Sequence, residues 1–247
     1  MKAMDGSPAQ LATLLLPGLD GTGQLFSRFI GAASAALELR VFSYPRNVHM
    51  SYQALESLVW RELPTGRPFA LLGESFSGPL ALRVAARAPR GLVAVVLATT
   101  FHRRPAGPAL QALRPLAPLF FRIPLAPRLV RALLAGADAP PDLVAEVCSA
   151  ANSVKGSVMA ARAREALRID ASEALRACPV PILFVGGRRD RLLRNSIAAD
   201  IRALRPDAEI KILDGPHLLL QRRPEEVMQL VTEFLVRCAS RDRGQVA

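Results

Sequence analysis

Short apolar runs closed by glycine or proline recur along the first hundred residues. "LATLLL" (11–16) leads into "PGLDGTG", "LELRVFSYP" (37–45) stops at a proline, "PFALLG" (68–73) stops at a serine turn, and "LVAVVLATT" (92–100) follows a Pro-Arg-Gly break. Runs with little polar alternation suit strands covered on both faces. Between them the apolar positions of Phe26 to Leu37, Tyr52 to Leu63 and Pro79 to Ala88 recur at helical spacing. Alternation of strand and helix predicts βαβ crossovers and a parallel sheet.

The pattern changes after Phe101. From His102 to Cys178 the chain is rich in Pro, Ala, Leu and Arg, with no convincing strand, and prolines at 105, 108, 115, 118, 124, 127, 140 and 141 break it into short helices. Strand character resumes at "PVPILFVGG" (179–187). A helix at Ser196 to Leu204, a strand "AEIKILDG" (208–215) and a helix from Pro224 to Cys238 complete the pattern. The expected fold class is therefore α/β, a mostly parallel doubly wound sheet with a helical cap insertion. Residues 1–101 and 179–247 form the core, and 102–178 the insertion. Within it, "LAPLFFRIPLAPRLVRALLAG" (116–136) could be an amphipathic lid. Arg122, Arg128, Arg131 and three prolines exclude a membrane span, and packing surface is the simpler reading.

At 247 residues with 51% hydrophobic side chains, a sizeable core is expected. The formal net charge of +11 suggests nucleic acid at first, but the positive residues are 29 arginines against Lys2, Lys155 and Lys211, and no run exceeds two. Arginine dispersed in this way argues against a nucleic-acid partner and is compatible with an anionic or carrier-linked substrate. Cys148, Cys178 and Cys238 are too scattered for a disulfide framework or a metal motif. Asp5 and Pro8 occupy the place of a signal peptide's apolar core, and no run is long enough for a transmembrane segment. The expectation is a soluble, cytoplasmic protein.

Chemistry enters at "GESFSG" (73–78), where Ser75 stands at a strand-to-helix turn. A serine hydroxyl becomes a nucleophile only beside a base whose tautomer is fixed by a carboxylate. The turn lifts the hydroxyl over the sheet, and Pro79 fits the first helical turn. Of three histidines, His217 in "LDGPHLLL" follows the last strand, whereas His49 and His102 do not. Asp190 in "VGGRRDRLL" follows the penultimate strand and is the candidate acid. Asp214, three residues before His217, is better suited to shaping a turn, and Asp170 and Asp200 lie in or beside helical segments. The backbone N–H groups of Leu19, in the glycine-rich "PGLDGTG", and of Phe76 are the candidate oxyanion donors. That loop has neither the GxGxxG nor the Walker pattern, and neither a metal nor a cofactor is called for.

"PGLDGTG", "GESFSG", "GGRRDRL" and "GPHLLL", in this order, resemble the α/β-hydrolase superfamily, and the likeness covers both halves outside the insertion. The resemblance implies a mostly parallel sheet, a helical cap, and Ser75, Asp190 and His217 as nucleophile, acid and base. Length and cap placement look most like small carboxylesterases acting on a small-molecule or carrier-linked acyl ester. An acyltransferase or thioesterase using the same residues is the alternative. Two departures stand out. Pro17-Gly18 replaces a frequent His-Gly, so whatever that histidine anchors must be held otherwise. Ser77 stands where the serine motif has glycine.

Overall fold

The structure is a computed structural model describing residues 10–103, 105, 121 and 123–245. Its elements in chain order are β1 (Leu11–Leu16), α1 (Ser27–Gly31), β2 (Leu37–Val41), α2 (Tyr52–Arg61), β3 (Phe69–Glu74), α3 (Gly78–Ala86) and β4 (Leu92–Ala98). A helical turn, Pro127–Leu129, then runs into a π-helical stretch, Val130–Ala135. After it come α4 (Pro141–Asn152), α5 (Gly156–Arg168), α6 (Ser172–Ala177), β5 (Ile182–Gly187), α7 (Ile197–Leu204), β6 (Glu209–Leu213), α8 (Leu219–Arg222) and α9 (Pro224–Gln245).

Among the described residues six strands form one sheet in the order β2-β1-β3-β4-β5-β6. Every neighbouring pair is parallel. The expected α/β class is what the chain adopts. Strands 1, 3 and 4 are buried along their whole length, which is why their sequences lack polar alternation. Leu14, Leu16, Phe69, Leu71, Val95, Leu97, Ile182 and Phe184 enter one core with α2 and α3. Their chain neighbours Leu15, Ala70, Leu72, Ala94, Val96, Leu183 and Val185 enter the other, against Phe29 of α1 and Val227, Val231, Phe234 and Leu235 of α9.

The order reverses beside β1. The chain leaves it for β2 on one side and returns to β3 on the other, opening a crevice at the strands' carboxyl ends. The loops after β1 and β3 flank that crevice.

Several boundaries differ from the sequence reading. The helix expected over Phe26 to Leu37 is a 3-10 turn, Gln24–Phe26, followed by the five residues of α1. Leu37 is already paired with Leu11, and pairing to β1 outweighs the helical spacing. Strand β2 ends at Val41 because the Tyr44 N–H leaves the ladder to donate to the Gly21 carbonyl at 2.7 Å. In the stretch 116–136, residues 116–120 and 122 lie outside the described residues. Of the remainder, Val130 is buried against Leu143, Val144, Val147 and Leu218, while Leu129 and Leu133 face solvent. No helix among the described residues is long and apolar enough to cross a membrane.

Candidate active site

The strand-to-helix turn after β3 puts Ser75 in a strained conformation, with φ +48°. For a non-glycine residue this costs on the order of 1 to 3 kcal/mol, so the surroundings must enforce it. Thr100, just past β4, does so by donating its hydroxyl to the Ser75 carbonyl. Two glycines allow the crowding. A Cβ on Gly73 would lie 2.6 Å from the Ser77 carbonyl oxygen, and one on Gly78 would lie 2.0 Å from the Thr100 hydroxyl.

Ser75 Oγ lies 2.9 Å from His217 Nε2, and His217 Nδ1 lies 2.7 Å from Asp190 Oδ2. The residues come from the carboxyl ends of β3, β6 and β5, and the imidazole is 3% exposed. The other carboxylate oxygen of Asp190 accepts the N–H groups of Leu192 at 2.8 Å and Leu193 at 3.0 Å. Burial alone would push this carboxyl's pKa up. The facing His217 and the two backbone donors outweigh it and hold Asp190 below the usual carboxylate range. Arg188, Arg189 and Arg191 around it are exposed, and Arg189 pairs with Asp214 at 2.9 Å.

The alternatives considered from sequence do not join this hydrogen-bonded line. His49 is exposed, and the His102 ring is buried with neither nitrogen bonded. Asp170 accepts the Ser172 N–H, and Asp200 pairs with Arg194. Among the described residues no group of three or more His, Cys, Asp or Glu side chains is placed to hold a metal ion.

The β1 loop lies beside the serine: a Cβ on Gly18 would be 3.9 Å from that of Ser75. Ser77 ties the two together. Its hydroxyl donates to the Pro17 carbonyl and lies 2.6 Å from the Tyr44 hydroxyl, which is left to donate in turn. The departure from glycine is thus a working contact. Tyr52 donates to the Phe76 carbonyl at 2.7 Å.

The sequence reading missed Arg162, on α5. It is 2% exposed, and its guanidinium donates to the carbonyls of Leu19 (3.0 Å), Asp20 (2.5 Å) and Pro45 (2.9 Å). A second tie reaches the histidine loop, where the Leu134 carbonyl of the π-helical stretch accepts the Leu218 N–H at 2.9 Å. Glu74, just before the serine, was also passed over. It is 4% exposed and accepts from Gln221 Nε2 at 2.9 Å.

Burial pushes the Glu74 carboxyl up from 4.5 to about 7. Between those values the folded chain keeps a proton that the unfolded chain has released, so stability falls as pH rises through the window. At 1.36 kcal/mol per unit the loss reaches about 3 kcal/mol. Urea unfolding of wild type and Glu74→Gln at pH 5 and pH 8 is expected to show the variant gaining that much on wild type at the higher pH. Parallel pH curves for the two proteins would remove Glu74 as the cause.

A doubly wound parallel sheet, with a serine turn, a histidine and an aspartate gathered over its carboxyl edge, is an α/β-hydrolase architecture. The chain belongs to the α/β hydrolase family, whose sequence profile matches residues 13–230. It is 29% identical over 249 aligned positions to the polyketide synthase ThaQ of Burkholderia thailandensis, a match covering 90% of this chain and 12% of that protein's length. Among solved structures it is similar in fold to the enol-lactonase of Burkholderia xenovorans LB400, with TM-score 0.79 and 17% identity over 93% of this chain and 92% of the other. A thermophilic esterase from Thermogutta terrifontis gives TM-score 0.76 and 19% identity over 94% and 92%.

Proposed function

We propose that the protein is a serine hydrolase that cleaves carboxylic esters through an acyl-enzyme on Ser75. The hydrogen-bonded line from Ser75 through His217 to Asp190 carries this reading. With the Nδ1 proton engaged by Asp190, Nε2 is free to accept the Ser75 proton as Oγ attacks the carbonyl carbon. The N–H groups of Leu19 and Phe76 receive the developing oxyanion. Collapse breaks the C–O bond, His217 returns the proton to the leaving alcohol, and water repeats the sequence to release the acid. Residues 102–178 act as the cap, and the substrate is a small-molecule or carrier-linked acyl ester.

The expected result is turnover of p-nitrophenyl esters, with a chain-length optimum across a graded series, and covalent labelling by a fluorophosphonate. A protein inert to both would be a non-catalytic member of the fold. The likeness to a polyketide synthase favours a second reading, in which the scissile bond is a thioester or the acyl group passes to an alcohol. An acyl N-acetylcysteamine thioester supplied with and without an alcohol acceptor separates them. Free acid in both arms means hydrolysis, whereas a new ester in the acceptor arm means transfer.

A further inference from the structure

The loop that would supply Leu19 to the oxyanion has each carbonyl from 17 to 20 engaged. Pro17 accepts the Ser77 hydroxyl, and Gly18 accepts the Gly21 N–H at 3.0 Å. Leu19 and Asp20 both accept from Nη1 of Arg162, while Nη2 spans to Pro45 beyond β2. The described residues contain no cis peptide bond, so in this loop each N–H points opposite to the carbonyl of its own peptide unit. Fixing the Gly18 carbonyl therefore aims the Leu19 N–H the other way. Fixing the Leu19 and Asp20 carbonyls keeps the next two units from rotating it out of line. The Leu19 N–H itself donates to no other described residue.

The geometry points to Arg162 as the positioning residue of the oxyanion loop. The insertion thereby takes part in catalysis through an arginine that never touches substrate. This rests on the proposed hydrolase reading and adds to it a dependence of transition-state binding on α5. A guanidinium suits the task because its planar fork serves carbonyls on two separate loops at once. The Tyr44 ring, 5.5 Å from the guanidinium carbon, covers it. None of the three carbonyls that Arg162 holds belongs to Ser75, His217 or Asp190, so the effect is expected at the oxyanion.

The test compares Arg162→Met and Arg162→Lys with wild type on a p-nitrophenyl ester, with an alkylboronic acid as tetrahedral mimic. Both variants are first checked for a folded near-ultraviolet spectrum. Losing an oxyanion donor costs about 100- to 1,000-fold, and misaiming one is expected to cost Arg162→Met roughly 10- to 100-fold in kcat. KM should change less than about threefold, boronate affinity should fall in step with kcat/KM, and the pH midpoint of kcat/KM should stay put. Arg162→Lys, one ammonium in place of a fork, should recover part of the loss, and it carries the test should Arg162→Met fail to fold. A folded variant with kcat within twofold of wild type, or with the loss confined to KM, overturns the proposal. So does failure of both variants to fold, which assigns Arg162 to stability alone. Ser75→Ala run alongside keeps the outcomes apart, since full activity there would sink the hydrolase reading itself.

Discussion

Replacing Ser75 by alanine is expected to lower ester turnover by about 10³- to 10⁶-fold and to abolish fluorophosphonate labelling. Among the described residues the hydroxyl's side-chain partner is His217, so the change removes the nucleophile and leaves His217 Nε2 as the group without its partner. Alanine meets the same positive φ that serine does, and folding should survive. In the proposed mechanism the three side chains act as one unit, so Ser75→Ala combined with His217→Ala should be no slower than either alone. Hydrolysis by the oxyanion donors and substrate binding should persist as a small remainder over solution. Turnover of Ser75→Ala equal to wild type would end the proposed mechanism, and so would a double variant whose losses simply multiply.

The second large effect is expected of Asp190→Asn, about 10⁴-fold in kcat. Here the cause is tautomeric. One carboxylate oxygen of Asp190 already accepts the Leu192 and Leu193 N–H groups, so the asparagine carbonyl oxygen must take that place. The amide NH₂ then faces His217 Nδ1, where the native contact is 2.7 Å to a carboxylate. A donor facing Nδ1 makes it an acceptor and moves the ring proton to Nε2, which can no longer take the serine proton. Initial rates at saturating ester should show the fall in kcat with little change in KM. A variant within tenfold of wild type would mean that Asp190 is only scaffolding.

The sheet was legible because each buried strand carries an unbroken apolar run, and glycine and proline mark its ends. That Ser75, Asp190 and His217 come together was legible for a related reason. A chain-order argument needs only the end of each strand, and Ser75, Asp190 and His217 each follow one. Helix α1 misled because apolar spacing records burial, whereas its length is set by where Leu37 must pair with Leu11. Arg162 left a trace that went unread. Positions 158, 162 and 166 share one face of α5, and an arginine lies there between Val158 and Ala166, both buried. What its guanidinium bonds to, the carbonyls of Leu19, Asp20 and Pro45, follows from tertiary packing that periodicity does not encode. The Ser77 contact was hidden likewise, since Pro17 and Tyr44 meet it only after three strands have docked.

Because the sheet's carboxyl edge is assembled from both ends of the chain, 142 residues separate the hydroxyl from the imidazole it needs. A ribosome makes the nucleophile long before it makes the base. On the proposed mechanism the emerging polypeptide therefore stays inert toward esters until synthesis passes residue 217 and the last strand joins the sheet. Proteolytic clipping ahead of that strand would return the molecule to the same innocuous condition.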